Sequence, residues 1–377
     1  MEAWNHIDLF SGANAFRLGF EAAGFKINKH YYSEIDKHAI ANTRYNYPES
    51  EYIGSVTDVS GLRPEGRTFI TFGWPCQDNS IAGKRKGHAA GTRSGLLFEA
   101  VRLIDEVRPE FFVAENVEGL RTVNKGIDIV EAVKFLAFLN ENLPQYDVEM
   151  QLLNTRWFLP QNRERLYFVG HLRNGSSKQV FPIGENDFRA AKGTANPAVI
   201  RCFTAGGNSG GMHSGMTLIN CLNPESSQSG RVYGVEGIAP ALYSGKQGVS
   251  GNSAIKIARM VGRNIVDGKR KDITGAPTEQ RLEANAQGIS NCLTSVQKDN
   301  LVVAKTSVRR LTPTETEALQ GWPLNHTQYG NYNGTIKPIS DTQRYRLCGN
   351  GVSVPCVKAV ATKLHPLYHQ QSIPKAA

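Results

Sequence analysis

Short apolar runs recur through the first 170 residues, each ending in small, polar or charged positions. Residues 6–11, Ile27 to Ser33, Phe69-Ile70-Thr71-Phe72, Phe111-Phe112-Val113-Ala114, Val148 to Leu153 and Leu166 to Gly170 have the length and aromatic or β-branched content of buried strands. Between them the spacing changes to that of helices. Phe16 to Ala23, closed by Gly24, is one; a second begins near Lys37, and Leu96 to Val107 is a third. Gly126 to Asn142 is a fourth, with Ile129, Val133, Leu136 and Leu139 on one face as core. Strand alternating with helix predicts an α/β fold around a mostly parallel sheet, whose chemistry lies at the strand ends.

Those ends carry distinctive residues. Ser11-Gly12-Ala13-Asn14-Ala15 is a turn opening a helix, where backbone amides can hold a carboxylate or phosphate. Glu34 follows the second strand, where doubly wound sheets accept ribose hydroxyls, and Asp36 either joins it or caps the next helix. Gly73 and Pro75 break the next strand, so Cys76 occupies the loop leaving it, where a thiolate can serve as nucleophile. The following Asn79 to Ser94 is a basic, glycine-containing loop suited to closing over a phosphate-bearing substrate. Glu115-Asn116-Val117 ends one strand and Gln161-Asn162-Arg163-Glu164-Arg165 precedes another, adding a carboxylate and two guanidiniums.

Composition shifts near Leu172. From there to about Val303 the chain is rich in Gly, Ser and Asn, with short β-type runs and the loop Gly206 to Gly211. Gly230 to Leu242 and Gln280 to Leu293 share an Arg followed by a Gly-Ile-x-x-x-Leu unit, a weak internal repeat. Arg201, Asn208, Lys246, Gln247, Arg259, Arg263, Lys269, Arg270, Lys271 and Lys298 are available for phosphate or base-edge contacts. Beyond this region Thr312-Pro313-x-Glu315 has the form of a capping box, and Arg344 to Val352 leads into a helix near Pro355 to Leu364.

A chain of 377 residues suits a large α/β domain with a smaller companion. Its 43 basic and 34 acidic residues give a net charge of +9, which favours a polyanionic partner. The opening Met1 to His6 has neither a basic nor an apolar targeting segment, and no apolar run reaches membrane-spanning length, so a cytoplasmic protein is expected. The six cysteines are dispersed without a Cys-x-x-Cys pair or flanking histidines, so reduced thiols and no structural zinc are expected.

Pro75-Cys76-Gln77, Glu115-Asn116-Val117 and Gln161-x-Arg163-x-Arg165, followed by Arg309-Arg310-Leu311-Thr312-Pro313, Gly321-Trp322-Pro323 and Gly349-Asn350-Gly351-Val352, resemble the bacterial and phage DNA (cytosine-5) methyltransferases. The resemblance covers roughly residues 5–170 and 305–362. It implies an S-adenosylmethionine-dependent, Rossmann-like catalytic domain over 1–171, a β-rich target-recognition domain over 172–303, and a segment over 304–377 returning to the first. It also implies methyl transfer to carbon 5 of a flipped cytosine in double-stranded DNA through a transient Cys76 adduct at carbon 6. Glu115 would hold ring nitrogen 3, Arg163 the carbonyl at carbon 2, and Arg165 the cysteine loop and a phosphate. The cofactor would meet Phe10, Gly12, Asn14, Glu34, Asp58, Pro75, Asn350 and Val352; Asn14 stands where the family has glycine, and Ser55 where it often has the acid that binds adenine, which leaves Asp58 or a backbone group near Val56 for that contact. A monomer is the default, and a separately acting restriction endonuclease is the further partner the family implies.

Overall fold

The computed structural model describes residues 3–74, 95–121, 127–139, 141, 143–174, 178–184, 255–263, 265–266, 269–270, 279–284, 289–293, 301–304 and 307–369. Pro75, Cys76, the basic loop after them, the glycine-rich loop and the first copy of the weak repeat lie outside these residues.

The apolar runs form a seven-stranded sheet of order β3-β2-β1-β4-β5-β7-β6. Its strands are β1 (Trp4–Leu9), β2 (Ile27–Ser33), β3 (Glu51–Tyr52), β4 (Thr68–Gly73), β5 (Phe111–Val117), β6 (Tyr146–Asn154) and β7 (Glu164–Leu172). Strands β1 to β5 pair in parallel, whereas β7 runs antiparallel to both β5 and β6. The first strand lies two residues earlier than its apolar pattern indicated, because Trp4 packs its ring on Phe69 and Phe111 and belongs to the core.

Both faces are covered, which is why β1, β4 and β5 read as continuous apolar runs rather than alternating ones. Trp4, Phe69 and Phe111 face a cluster built with Phe20 of α1 (Ala15–Ala22) and Val357, Val360 and Leu364 of the C-terminal helix, Val354–His369. Ile7, Ile70 and Phe112 face the other way, toward Leu97 and Leu103 of α3 (Gly95–Val107) and Leu136 of α4 (Ile127–Phe138). Helix α2 (Lys37–Asn46) follows β2 and is capped by Asp36, whose side chain accepts from the amides of His38 and Ala39. Of the two roles open to Asp36, the cap is the one formed.

A separate four-stranded antiparallel sheet orders β11 (Glu279–Ala284), β8 (Ile255–Arg263), β12 (Leu301–Ala304) and β13 (Ser307–Arg310). Strands β9 (Ile265–Val266) and β10 (Lys269–Arg270) form a small ribbon of their own. After β13, α5 (Pro313–Leu319) begins with the expected capping box between Thr312 and Glu315. The hairpin β14 (Tyr329–Tyr332) and β15 (Thr335–Pro338) then leads to α6 (Asp341–Asn350) and the C-terminal helix α7.

Candidate active site

The strand order reverses around β1, with β2 on one side and β4 on the other, so a crevice opens past their carboxyl ends. The turn leaving β1 lies there. Phe10, Gly12 and Asn14 all have positive φ, at 54°, 53° and 63°. Asparagine is among the few side-chain-bearing residues that tolerate this conformation. Its amide donates to Thr43 Oγ1 of α2 at 2.7 Å, so the side chain is drawn into the protein. A Cβ added to Gly12 would meet nothing within 4 Å, and the backbone there borders open space.

Glu34 closes one wall of this crevice. Its carboxylate accepts from the Gly12 amide at 2.9 Å and from the amides of Ile35 and Asp36 at 2.7 and 2.9 Å. A carboxylate offers about four lone-pair sites, so acceptor capacity remains for hydroxyls. Asp58 is exposed, and its carboxylate accepts from the Thr57 hydroxyl at 3.0 Å. Asn350 is exposed at the end of α6.

At the ends of β5 and β7 a second group assembles. Glu115 sits inside β5, opposite Gly73 of β4 and Tyr167 of β7. Arg165, opposite Val117, lies diagonally across from it on the same face, and its Nε approaches Glu115 Oε1 at 3.1 Å. Burial works against the Arg165 charge, but Glu115 and then the Cys292 sulfur outweigh it and hold its pKa above the usual value. A Cβ on Gly73 would stand 3.4 Å from Glu115 Oε2 and 3.9 Å from Val352 Cγ2, so both side chains border the end of β4.

Arg163 is placed differently. It is 3% exposed. Its NH1 donates to the carbonyls of Leu293 and Gly349, each at 3.2 Å, and to Cys292 Sγ at 3.3 Å, while NH2 donates to the Gly351 carbonyl at 2.7 Å. Arg163 therefore ties the segment near 290 and the segment after α6 to the start of β7.

A sequence profile described as C-5 cytosine-specific DNA methylase matches residues 4–365 of this chain. The chain belongs to that family. Among its relatives, the type II methyltransferase M1.ScrFI of Lactococcus lactis subsp. cremoris is 30% identical over 363 residues, covering 95% of this chain and 77% of the relative. M.HpaII of Haemophilus parainfluenzae is 29% identical over 381 residues, covering 96% and 89%. The solved structure of the S. pombe Dnmt2 methyltransferase shares the fold, with a TM-score of 0.56 at 14% identity over 97% of this chain and all of that one. A methyltransferase encoded within an Escherichia coli prophage superposes with a TM-score of 0.53 at 19% identity, covering 97% and 99%.

This methylase transfers a methyl group from S-adenosylmethionine to carbon 5 of cytosine in DNA, and no helix among its described residues is long and apolar enough to cross a membrane. Of the residues singled out from its sequence, Gly12 and Glu34 meet at one crevice wall, on the turn that also carries Phe10 and the inward-turned Asn14, and Glu115 and Arg165 meet at the neighbouring strand ends, with Val352 beside Gly73. Cys76 and Pro75 lie outside the described residues.

Contacts not anticipated from the sequence complete the arrangement. Buried Asn116 donates to the Trp74 carbonyl at 3.0 Å, fixing the chain two residues before Cys76. Cys292 Sγ accepts from both arginines, at 3.3 Å from Arg163 and 3.4 Å from Arg165. Ile35 is 80% exposed immediately after Glu34. Only Ile35 carried a sequence signal, as a lone apolar residue between two acids.

Proposed function

We propose that this methylase acts on a cytosine flipped out of double-stranded DNA, using Cys76 as nucleophile and the Glu115–Arg165 pair as the group that receives the base. The observation carrying this reading is the 3.1 Å approach of Arg165 to Glu115, at the end of the strand beside the one that continues into Trp74, Pro75 and Cys76. Carbon 5 of cytosine is a weak nucleophile. Addition of the Cys76 thiolate to carbon 6 makes the ring enamine-like, so carbon 5 can form the new carbon–carbon bond. Glu115, protonated or sharing a proton, bonds ring nitrogen 3 and the exocyclic amine and offsets the charge that develops. Loss of the carbon 5 proton to a base, with elimination of the thiolate, restores the aromatic ring and frees Cys76.

The contacts favour a particular division between the two arginines. Arg163 donates to three backbone carbonyls of the 290 and 350 segments, whereas Arg165, held by the Glu164 carbonyl and Cys292, turns its Nε to Glu115; on that placement Arg165 steadies Glu115 and donates to the base carbonyl at carbon 2. Arg163 then acts as the tie holding the C-terminal segment in place. S-adenosylmethionine supplies an electrophilic methyl group when bound. The positive-φ turn at Gly12, the open space beside it and the spare acceptor capacity of Glu34 fit its amino-acid and ribose portions, with Val352 beside the reacting end and Ile35 as an apolar surface for adenine. Asn350, Pro75 and Asp58 remain as further cofactor contacts to be tested.

Sequence choice is assigned to the region after Leu172. Since β13 lies in the same sheet as β8 and β11, the recognition unit extends to Arg310, and the returning segment starts at the capping box. The names of the relatives place them in type II systems, which supports a separately acting endonuclease; a cytoplasmic location and a monomeric enzyme are the other parts of the proposal. Bisulfite sequencing of DNA from cells expressing the protein, alongside Cys76→Ser, tests it. The intact chain should give methylcytosine at a fixed sequence and trap a duplex containing 5-fluorocytosine, and Cys76→Ser should do neither. A fully active Cys76→Ser variant would refute the adduct.

A further inference from the structure

A group of polar side chains is buried under the cofactor turn and takes no part in the site above. His6 and Asp8 alternate along β1 and so share a face, and His30 pairs directly opposite His6 on β2. All three are at most 3% exposed. One ligand-capable atom from each lies within 4.8 Å of the other two.

We propose that His6 Nδ1, Asp8 Oδ2 and His30 Nε2 bind a divalent transition-metal ion of the zinc class as a structural site. Each of these three atoms is buried without a hydrogen-bond partner, while the other polar atom of each side chain is engaged. The Thr71 hydroxyl donates to Asp8 Oδ1 at 2.8 Å. Its single proton is then committed, so the 2.6 Å contact with His6 Nε2 has the imidazole as donor and leaves Nδ1 as a bare lone pair. His30 Nδ1 lies 2.9 Å from Ser50 Oγ. Outer partners of this kind orient imidazole and carboxylate ligands in metal sites, and two imidazoles with one carboxylate suit zinc when a water completes the four ligands.

Arg17 also approaches His30 Nδ1, at 3.3 Å, but its shorter bond from the same nitrogen runs to Ser50 Oγ at 2.8 Å. Arg17 is paired with Glu21 and Glu49. An ionised Asp8, fully buried, needs a compensating positive charge beside it, which a divalent cation would supply. Ligand atoms about 2.0–2.1 Å from zinc stand roughly 3.3 Å apart in tetrahedral geometry. The 4.8 Å spacing of the ligand atoms these three side chains offer is wider than this, so the side chains would draw together on the ion. The ion would fasten β1 to β2 just before Phe10 and Glu34, so it would stiffen the cofactor crevice without touching the reaction.

The test is the metal content of the full chain, expressed with added zinc and purified without chelator. Mass spectrometry should find close to one zinc per chain, and X-ray absorption should show a nitrogen and oxygen shell near 2.0–2.1 Å without sulfur. His6→Gln and His30→Gln should each lower retention about tenfold or more. Nitrogen NMR of the wild-type histidines provides a check that needs no variant: zinc should shift the His6 Nδ1 and His30 Nε2 resonances. Metal well below one per chain, a thiolate shell, retention unchanged in both variants, or a metal-free His30 carrying its proton on Nε2 in zinc would overturn the proposal; the last result would assign the space to a bridging water.

Discussion

Replacing Arg163 with alanine separates a tie from a base-binding group. The change removes four donor contacts, three of them to the backbone carbonyls of Leu293, Gly349 and Gly351. A buried acceptor left without its partner costs about 1–3 kcal/mol, and relaxation or entering water recovers part of the sum. With three carbonyls stranded and part of their cost recovered, the expected loss is about 3–5 kcal/mol. For a chain of 377 residues each kcal/mol corresponds to roughly 1.3 °C, so the melting temperature should drop by about 4–6 °C. Arg165→Ala, measured in parallel, removes the Glu115 partner and should lower kcat by about 10²–10³-fold, the usual cost of losing one donor that acts on developing charge. Differential scanning calorimetry and single-turnover methylation of a duplex read the two effects separately. If Arg163→Ala melts normally yet loses turnover, while Arg165→Ala keeps it, the division of labour between these arginines is wrong.

Glu34→Ala should weaken binding of S-adenosylmethionine, or of its demethylated product, by about 1–3 kcal/mol in calorimetry, because the carboxylate that also orders the Gly12 amide is gone. Unchanged affinity would move the ribose elsewhere. Glu317 is fully buried, bonded to Arg344 at 2.9 Å and to the amides of Asn325 and Thr327 at 2.6 and 2.9 Å; Glu317→Ala should cost about 3–5 kcal/mol in urea denaturation. Glu149 supplies a pH dependence. Its burial disfavours the carboxylate, but hydrogen bonds from His171 and from the amides of Phe181 and Val180 prevail and lower its pKa below the ordinary 4.5. A lowered carboxylate contributes stability above its unfolded pKa and loses it as pH falls through the folded one. Urea midpoints should therefore decline below about pH 4.5, and less steeply in Glu149→Gln.

The central strands were legible because β4 and β5 are apolar on both faces, and the capping box at Thr312 because three neighbouring residues define it locally. The hairpin β14–β15 was not anticipated, although Asn333-Gly334 is a strong turn signal and both residues have positive φ. What sequence could not supply is distance-dependent. Arg163 and Arg165 look equivalent two residues apart, yet only the return of Gly349 and Gly351 from far along the chain occupies one guanidinium and leaves the other facing Glu115. The dispersed cysteines argued against a zinc site, whereas His6, Asp8 and His30 meet through strand pairing that their sequence separation conceals. Asp36 shows the opposite case: a cap is local, and it was one of the two roles its position before Lys37 left open.

The packing of α7 on α1 also sets a timetable for biosynthesis. Gly19 is so close to Val357 that an added Cβ would stand 2.4 Å from its Cγ1, so these two helices fit only as a finished pair. Roughly 330 residues separate them, and at about 5–20 residues per second the ribosome needs about 15–65 s to supply the second after the first. Throughout that interval Phe16, Phe20 and the outer face of β1 lack the cover that Val357, Val360 and Leu364 provide. The nascent enzyme thus cannot complete this packing while the residues between α1 and α7 are being made, and methylation competence is expected to arrive only with α7.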